Sequence, residues 1–499
     1  MDTNTAYQDL VSHLKNNFYL KSSLDLLQWD AEVNLPSNSG DIRAAQIAAL
    51  SEVLHNKSTD PAISKLLDQL ESNQNKLTHP QLTVLRETRR EYQRAVKLPA
   101  EFVAKKAETE CLSYLAWVEA RKNSDFSAFA PFLQKELDFA IQEAEFVGSH
   151  TNPYDYAIDK HDPGLNTKFI EKNFSELKTA LIPIVTQITN SAIKPDSSIL
   201  KNFPISLQEQ FVREVTEKLG FDYTHGRMDR SVHPFCSGNS QDLRMTTRFN
   251  ENVPLDSLFS SIHETGHGLY EQGLPKENIG TPLARAIGMA VHESQSRLWE
   301  NQVGRSKAFW KFWEPRYREL FGDQLKHIDS DLLYLTINSV ERNPIRVDSD
   351  EVTYNLHIIL RFELEKQLFN GSLKIKDLPE VWNATSKEIL NITPKNNKEG
   401  VLQDVHWSMG YFGYFPSYCL GNMMAAQLWY AANAQISGLQ DYIAKGDFSH
   451  LLNWLRTNIH QYGQQYTLHE TLQRITGEDL SSKHLIKYLS ERYLPLYTN

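Results

Sequence analysis

The residue pattern with the clearest chemical meaning in this chain is the pentapeptide His263-Glu264-Thr265-Gly266-His267, of the form H-E-x-x-H. On a helix, residues four apart share a face, so His263 and His267 can direct two imidazoles toward one metal ion. Zinc accepts nitrogen ligands, and a catalytic zinc ion needs three protein ligands and an open position for water. Glu264 can take a proton from that water. The pentapeptide therefore predicts hydrolysis at a metal ion.

The residues around the pentapeptide predict a helix that passes through the core. Pro254 and Asp256 are typical of a helix start, and Gly273 of a helix end. Gly266 is unfavourable inside a helix, which indicates that another backbone or a ligand approaches it closely. Two histidines on one helix face could also be a surface pair or satisfied core residues. Apolar or small residues recur at helical spacing at Phe259, Ile262, Gly266, Leu269 and Tyr270.

Two histidines do not complete a catalytic zinc site, so a third ligand must come from elsewhere in the chain. The next segment of helical pattern, residues 283–303, contains Glu293, whose carboxylate would complete a site of two histidines and one glutamate. Glu271, Glu277 and Glu300 compete with it, because most glutamates on helices are solvated surface residues. Spacing alone leaves the third ligand open.

Composition and charge exclude several classes of protein. The chain is 40% hydrophobic and 23% charged, as is usual for soluble globular proteins, and its net charge of −10 does not suggest a nucleic-acid footprint. Cys111, Cys236 and Cys419 are too few and too widely spaced for a disulfide framework or a cysteine-type zinc site. We see no signal peptide and no apolar run long enough to span a membrane. We therefore expect a cytoplasmic protein without nucleic-acid or membrane partners.

The organisation of the chain predicts one catalytic unit over residues 1–499, because no clear linker divides it. A helical part is expected over roughly residues 1–200, a metal-site part over roughly 201–420, and further helices over roughly 421–499. The predicted fold is mainly α, with a small β-sheet near the active site.

Three local patterns support this organisation. A break with serine, proline and aspartate at residues 194–206 separates the first part from the second. Alternation of polar and apolar residues over 242–249 predicts a strand just before the metal helix. The last helix is predicted at residues 482–494, where Pro495 would end it.

Six motifs between residues 233 and 407 together resemble the HEXXH metallocarboxypeptidases of the Taq carboxypeptidase family. Trp29-Asp30 also resembles the family's N-terminal part, and the similarity extends over essentially the whole chain. Ser349 stands where alanine is more often expected, which is a small and neutral change. The motifs are His233-Pro234-Phe235; Asp242-x-Arg244-x-Thr246; His263-Glu264-x-x-His267; His292-Glu293-Ser294-Gln295; Ile345-Arg346-x-x-Ser349-Asp350; and Gly400-x-x-Gln403-Asp404-x-His406-Trp407.

The resemblance implies that His263, His267 and Glu293 bind the metal and that Glu264 is the general base. It also implies a large helical fold with a deep substrate groove, similar to angiotensin-converting enzyme and neurolysin, and a homodimer. The implied activity is release of C-terminal amino acids, with broad specificity, from peptides with a free C-terminus. One Zn²⁺ per subunit is expected, and Co²⁺ can occupy a similar geometry.

A carboxypeptidase must hold the terminal carboxylate of its substrate, which a bidentate arginine does well. The family motif favours Arg346 for this role, and Arg244 is the second choice. As a lone arginine, Arg346 would instead form a structural ion pair with Asp348 or Asp350. The sequence alone does not decide between a carboxylate anchor and a structural ion pair.

The predicted strand adds candidates for the wall of the groove. Asp242, Arg244 and Thr246 share one face of a strand, where they could line the groove or form a buried structural pair. The strand edge could also pair with the substrate backbone. His233 and the two residues after it are expected to shape the wall.

The aromatic segment at residues 403–418 supplies candidate donors for the oxyanion of the tetrahedral intermediate. These are Tyr414, Tyr418 and His406, although a packed aromatic wall is an equally good interpretation of each tyrosine. His292 and Asp404 are expected to support the metal ligands, because a ligating histidine usually donates its second N–H to a carboxylate or carbonyl. Gln403 and Asp350, from the family motifs, are expected in the same surroundings or in the groove.

Two other functions compete with a zinc carboxypeptidase. One is a zinc oligopeptidase that cuts internal bonds of short peptides, which would not need a carboxylate anchor such as Arg346. The other is a non-catalytic binding protein on the same fold. The intact Glu264 argues against the second, because a binding module needs metal ligands but no base.

Overall fold

The computed structural model describes residues 2–148 and 151–498 and shows a helical protein with one small sheet, which confirms the mainly α prediction. Local signals define the helix ends; Asp60, for example, accepts a hydrogen bond from the Ala62 N–H, and Pro61 begins that helix. The helices before the sheet are α1 (Thr3–Val33), α2 (Gly40–Ser58), α3 (Pro61–Glu71), α4 (His79–Lys97), α5 (Ala100–Asn123), α6 (Phe126–Val147), α7 (Pro153–His161), α8 (Thr167–Asn190) and α9 (Ile205–Leu219).

The sheet consists of β1 (Gly226–Arg230), β2 (Cys236–Asn239) and β3 (Asp242–Thr247), so the strand predicted over 242–249 ends two residues early. β3 is the central strand, parallel to β1 and antiparallel to β2. Its backbone is therefore paired on both sides, and the interpretation that its edge binds substrate is wrong. Leu243 and Met245 are buried on one face of β3, as the alternation predicts.

Further helices follow the sheet, and the last one closely matches its prediction. It ends at Tyr493, and a 3₁₀ turn, Leu494–Leu496, then contains Pro495. These helices are α10 (Pro254–Gly273), α11 (Met289–Arg297), α12 (Lys307–Leu320), α13 (Gly322–Leu325), α14 (Ser330–Ile337), α15 (Tyr354–Phe369), α16 (Leu378–Leu390), α17 (Phe415–Gln435), α18 (Leu439–Ile443), α19 (Ser449–Asn458), α20 (Leu468–Thr476) and α21 (Ser482–Tyr493).

The predicted helix over residues 283–303 is wrong at its start and changes its winding near its end. Pro282–Ala284 forms a 3₁₀ turn, and α11 begins only at Met289, after Gly288 in extended conformation. The backbone N–H of Ile287 donates to the hydroxyl of Tyr270 instead of continuing a helix. Beyond α11, residues Leu298–Val303 wind as a π-helix, a form found often at functional sites.

One large hydrophobic core runs from Ala120 to Tyr497 and includes the inner faces of α10, α11, α15 and α17. A smaller core joins α1, α3 and α4 to Leu283. The predicted break at 194–206 is an irregular segment with a 3₁₀ turn, Ser197–Ile199, but the large core takes residues from both sides of it. No helix among the described residues is long and apolar enough to cross a membrane.

Candidate active site

The structure brings His263, His267 and Glu293 together. The two histidines lie one turn apart on α10, and Glu293 projects from α11. Glu293 Oε2 is 3.6 Å from His263 Nε2 and 3.5 Å from His267 Nε2. One ligand atom from each of the three residues lies within 4.8 Å of the others. Two imidazole nitrogens and one carboxylate oxygen are the donor set of catalytic zinc sites, so these residues fit such an ion.

A glycine in α10 allows this approach of the two helices. A Cβ atom at Gly266 would lie 2.6 Å from the Cα of Ser296, which confirms the predicted close approach to another backbone. On the other side of α11, a Cβ atom at Gly421 of α17 would lie 2.6 Å from the Cβ of Glu293. Glu293 is thus fixed between α10 and α17 at points where only a hydrogen atom fits.

Charged residues orient two of the candidate ligands. His263 Nδ1 is 2.8 Å from Glu300 Oε2, and Arg297 donates from Nε to Glu293 Oε1 (2.7 Å) and from Nη1 to Glu300 Oε2 (3.1 Å). Burial alone would raise the pKa of Glu293, but the guanidinium of Arg297 and the two histidines hold it well below its usual value. Glu300, a competitor for third ligand, therefore acts in the structure as the partner of His263.

The remaining candidate ligand, His267, has a carboxylate partner only indirectly, through His292. His267 Nδ1 is hydrogen-bonded to His292 Nδ1, and His292 Nε2 is 2.9 Å from Glu271 Oε1. With His267 Nε2 as a metal ligand, Nδ1 would carry the proton and donate to His292 Nδ1, and His292 Nε2 would donate in turn to Glu271. Burial, and then His292, lower the pKa of His267 to about 3, so it stays neutral. Glu277, the remaining competitor, is exposed in the 3₁₀ turn Lys276–Asn278.

Glu264 is buried beside these histidines, with 7% of its surface exposed. Burial raises the pKa of its carboxyl to about 7. The carboxyl also contributes, after burial, to the raised pKa of the Cys236 thiol, so β2 runs next to this part of α10. A carboxyl with a pKa near neutrality can both accept and return a proton, which is what a general base of hydrolysis must do.

Arg346 lies in a 3₁₀ turn, Arg346–Asp348, and its ion pair is with Asp404. Its Nε donates to Asp404 Oδ1 at 2.9 Å, and Asp404 Oδ2 accepts from Arg361 Nε at 2.7 Å. The alternative pairing of Arg346 with Asp348 or Asp350 is wrong: Asp350 instead accepts the backbone N–H groups at 352 and 353 and so fixes its own loop. Both arginines and Asp404 are buried or nearly so.

Gln403 fastens the two loops that meet at Arg346. Its Oε1 accepts the backbone N–H of Arg346 at 2.8 Å, and its Nε2 donates to the carbonyls of Pro344 (3.1 Å) and Glu399 (2.8 Å). A single amide side chain thus crosslinks segments that are almost sixty residues apart in sequence. Gln403 therefore sets the position of the arginine backbone.

The three candidate oxyanion donors form one aromatic group. His406 Nε2 is 3.2 Å from the hydroxyl of Tyr418, and the rings of Tyr414 and Tyr418 meet edge to face at 5.3 Å. Burial raises the pKa of both tyrosines, so their hydroxyl groups keep their protons. The charge of Glu293 contributes to both shifts, which places the tyrosines close to the candidate metal ligands.

Arg244, the second choice for the carboxylate anchor, is engaged elsewhere. Its Nε donates to Asp242 Oδ1 at 2.9 Å, and its guanidinium lies 4.2 Å from the ring of Trp29 on α1. These residues thus hold α1 against the sheet. The predicted structural pair is present, but it is not buried, because Asp242 is exposed. His233 is exposed in the loop before β2, where its carbonyl accepts a hydrogen bond from the Ser231 hydroxyl.

Sequence reasoning missed Glu365, which holds the loop that carries His406 and Tyr414. Its Oε1 accepts from Trp407 Nε1 (2.7 Å), and its Oε2 accepts from the Tyr154 hydroxyl (2.8 Å) and the Gly413 N–H (3.0 Å). Burial raises the pKa of Glu365 to about 7. The sequence gives no clear signal for this role, because Glu365 is one of four charged residues in α15, with Arg361, Glu363 and Lys366.

Asp162, at the end of α7, was also missed. It accepts hydrogen bonds from the Ala290 N–H at the start of α11 and from the Ser417 hydroxyl of α17, each at 2.6 Å. A carboxylate at a helix N-terminus stabilises that end of the helix. Asp162 thus joins the helix of Glu293 to the helix of Tyr418. The sequence Asp162-Pro163-Gly164 indicates only a loop and gives no sign of this role.

The chain is similar to known carboxypeptidases over nearly its whole length. The family described as carboxypeptidase Taq (M32) metallopeptidase matches residues 9–493. The chain is 39% identical to thermostable carboxypeptidase 1 of Thermus thermophilus and 37% identical to carboxypeptidase 1 of Bacillus subtilis, and both matches cover 100% of each chain. The M32 carboxypeptidase structure from Deinococcus radiodurans R1 is similar, with a TM-score of 0.96 and 38% identity over 99% of each chain. The chain therefore belongs to the carboxypeptidase Taq (M32) family and is a metallocarboxypeptidase.

Proposed function

We propose that the protein is a zinc-dependent carboxypeptidase that releases single residues from peptides with a free C-terminus. The observation that carries this proposal is the convergence of His263, His267 and Glu293 next to a buried Glu264. The donor set suits Zn²⁺, and Co²⁺ can adopt a similar geometry. We expect broad specificity, because the groups that recognise the peptide act on its terminus and not on one particular side chain.

Residues of this chain account for the proton transfers. When bound, the metal ion lowers the pKa of water and polarises the scissile carbonyl. Glu264 accepts the proton of the attacking water and then donates it to the leaving amine, for which a pKa near 7 is well matched. We assign the tyrosine pair Tyr414 and Tyr418 as donors to the oxyanion, since both keep their hydroxyl protons and lie near Glu293.

Arg346 is the proposed anchor for the terminal carboxylate. Arg346 and Arg361 share the single carboxylate of Asp404, so this group of three carries one excess positive charge. A guanidinium has five N–H groups, and those of Arg346 are only partly used by Asp404 and the hydroxyl of Tyr354. A substrate carboxylate would both neutralise the excess charge and accept the remaining N–H groups.

The position of Arg346 favours an exopeptidase over an oligopeptidase. Tyr354 connects the two halves of the site: its hydroxyl accepts from Arg346 Nη1 at 2.8 Å, and its ring lies 4.6 Å from the guanidinium of Arg297. Arg297 in turn binds Glu293. Two side chains, Tyr354 and Arg297, therefore connect the proposed anchor to the metal ligand Glu293, and this short separation suits cleavage of the last peptide bond.

Two experiments test the proposal. A peptide with a free C-terminus should be hydrolysed by the zinc-loaded enzyme much faster than its C-terminal amide, with products identified by mass spectrometry; equal cleavage of both, or internal cleavage, would support the oligopeptidase. Glu264→Gln should lower kcat by about 10²–10⁴-fold without loss of bound metal. The exposed Glu277→Gln serves as the matched control. Unchanged hydrolysis by Glu264→Gln would exclude Glu264 as the base.

We further propose that residues 1–499 act as one catalytic unit, in the cytoplasm and as a homodimer. The support is the family membership, the free state of Cys111, Cys236 and Cys419, and the large core that joins distant parts of the chain. Light scattering after size-exclusion chromatography tests the oligomeric state; a mass of one chain at enzyme concentrations that give full activity would contradict the homodimer.

A further inference from the structure

A cavity of about 450 Å³ opens beside the aromatic group of the active site. Its volume lies in the usual range of ligand pockets, and one of its lining residues, Tyr411, is exposed. It is formed by the end of α7 and the loop before α17. The residues that line it are His161, Val405, His406, Met409, Tyr411 and Tyr414.

This cavity directly adjoins the proposed carboxylate anchor. Asp404, which binds Arg346, is followed by Val405 and His406, and both of these line the cavity. The ring of Tyr418, which lies 5.2 Å from the Arg346 guanidinium, contacts the Tyr414 ring of the cavity wall edge to face at 5.3 Å. The cavity is therefore adjacent to the place where a substrate carboxylate would bind Arg346.

We propose that the cavity holds the side chain of the substrate's C-terminal residue and favours large uncharged side chains, aromatic or long aliphatic. This inference rests on the proposed carboxypeptidase function and adds a graded preference to its broad specificity.

The rings that line the cavity provide the apolar contact. Tyr411 and Tyr414 are stacked at an angle of 28°, and His161 meets Tyr414 edge to face at 5.0 Å. His161 Nε2 donates a hydrogen bond to the carbonyl of Phe412 at 3.2 Å, so this nitrogen is already engaged within the protein. Burial lowers the pKa of His161 to about 4 and that of His406 to about 3, so neither ring carries a charge at neutral pH. Aromatic rings gain further from edge or offset contacts with such walls.

Charges behind the wall are compensated within the protein. Glu110 and Glu136 lie beneath Gly410, where a Cβ atom would be 3.3 Å and 3.1 Å from their carboxylate oxygens. Lys106 Nζ lies 2.9 Å from Glu110 and 3.3 Å from Glu143, and Lys160 also pairs with Glu143.

Glu136 also adds no negative charge near the cavity that would attract a cation. Glu136 is fully buried, and burial raises its pKa to about 8, so its carboxyl is mostly neutral at pH 7. A lysine, arginine or carboxylate side chain of the substrate would therefore lose hydration in the cavity without gaining an ionic partner.

The test uses two sets of peptides with the zinc-loaded enzyme. One set varies only the C-terminal residue (Phe, Leu, Ala, Lys or Asp), and the other varies only the residue before it. For the wild type we expect kcat/KM to be about 10-fold or more higher for C-terminal Phe than for Ala, Lys or Asp. A preference for Lys or Asp over Phe would overturn the proposal.

Two variants then place the preference in the cavity. Met409→Trp, which fills the cavity, should abolish the advantage of Phe over Ala, whereas Met409→Leu, of similar volume, should keep it. Tyr411→Ala should weaken the advantage and is tolerable for folding, since Tyr411 is 44% exposed; Tyr19→Ala, at a 57% exposed tyrosine on α1, is its control.

The outcomes are distinguishable from failure of the function itself. Met409→Trp and Tyr411→Ala could change kcat/KM only in the set that varies the penultimate residue, or equally for every peptide. Either result would overturn the assignment of the cavity and leave the proposed carboxypeptidase function intact. A wild-type enzyme that releases no C-terminal residue from any peptide would overturn the proposed function and the inference with it.

Discussion

The metal site and the arginine site lie close together but are built in different ways. His263, His267 and Glu293 come from α10 and α11, two helices that pack against each other in close contact at Gly266. Arg346 comes from a short 3₁₀ turn. Its position depends on side chains of a distant loop, chiefly those of Gln403 and Asp404.

The two halves of the active site should therefore differ in the substitutions that damage them most. Backbone packing determines the metal geometry, so a change of volume between the helices should disturb it most. Buried ion pairs determine the arginine geometry, so loss of one charge should disturb it most. A substitution that damages one half should leave the other half intact.

The largest effect is expected from Asp404→Ala, which leaves Arg346 and the fully buried Arg361 without their shared carboxylate. Loss of one partner from a buried ion pair costs about 3–5 kcal/mol, so the free energy of unfolding in urea should fall by this amount. Metal affinity, measured by competition with a chelator, should be unchanged. Asp348 lies on the same 3₁₀ turn as Arg346 but is exposed, so Asp348→Ala should have little effect on either the unfolding free energy or the metal affinity. An equal loss of metal affinity in Asp404→Ala would show that the two halves are not independent.

Gly266→Ala tests the opposite half. The new Cβ atom would lie 2.6 Å from the Cα of Ser296, so α11 must move and carry Glu293 with it. Overpacking of this kind costs about 1–3 kcal/mol, and we expect weaker metal binding together with lower thermal stability. Gly322→Ala is the matched control, because nothing lies within 4 Å of its Cβ position. Full metal affinity in Gly266→Ala would contradict the role given to this contact.

Glu300→Gln should have a smaller effect, confined to the metal. It weakens the orienting bond to His263 and the contact with Arg297, and changes of this kind lower metal affinity by about 10–100-fold. Glu271→Gln acts only through His292, so its effect should be weaker still. The ratio of the two dissociation constants measures how well the histidine relay replaces a direct carboxylate; the reverse order would refute this interpretation.

A pH dependence of stability is expected in the arginine half, from the carboxyl group of Glu365. The folded-state pKa of Glu365 is raised to about 7 by burial, above the value near 4.5 of an unfolded glutamate. Its contribution to stability is therefore fully present below pH 4.5 and is lost as pH rises through about 7. The difference in unfolding free energy between wild type and Glu365→Gln should fall over this interval. A difference that stays constant with pH would contradict the raised pKa.

The metal site and the arginine site also differ in how much of their structure could be predicted from the sequence. The α10 helix, its ends and the close approach at Gly266 follow from spacing within twenty residues, and the structure confirms them. The pairing of Arg346 with Asp404 spans 58 residues, and periodicity contains no information about it. Asp348 and Asp350 were the natural local partners, and both were wrong because Asp350 fixes its own loop.

Only the fold shows that residues of the same type have different roles in the site. Glu271, Glu293 and Glu300 are equivalent candidates by spacing, yet one faces both histidines and the other two support them. The start of α11 was missed because Asp162, more than a hundred residues away, determines where that helix begins. Contacts of this range are set by tertiary packing and not by local propensity.

The position of Asp162 has a consequence for any attempt to isolate a minimal catalytic fragment. All six motifs lie between residues 233 and 407, so a chain shortened to begin near residue 201 would keep every one of them. It would nevertheless lack the carboxylate that caps α11 and the Tyr154 hydroxyl that binds Glu365. The N-terminal helices are thus a structural part of the enzyme's catalytic centre, and an autonomous catalytic core cannot be cut out along the motif boundaries.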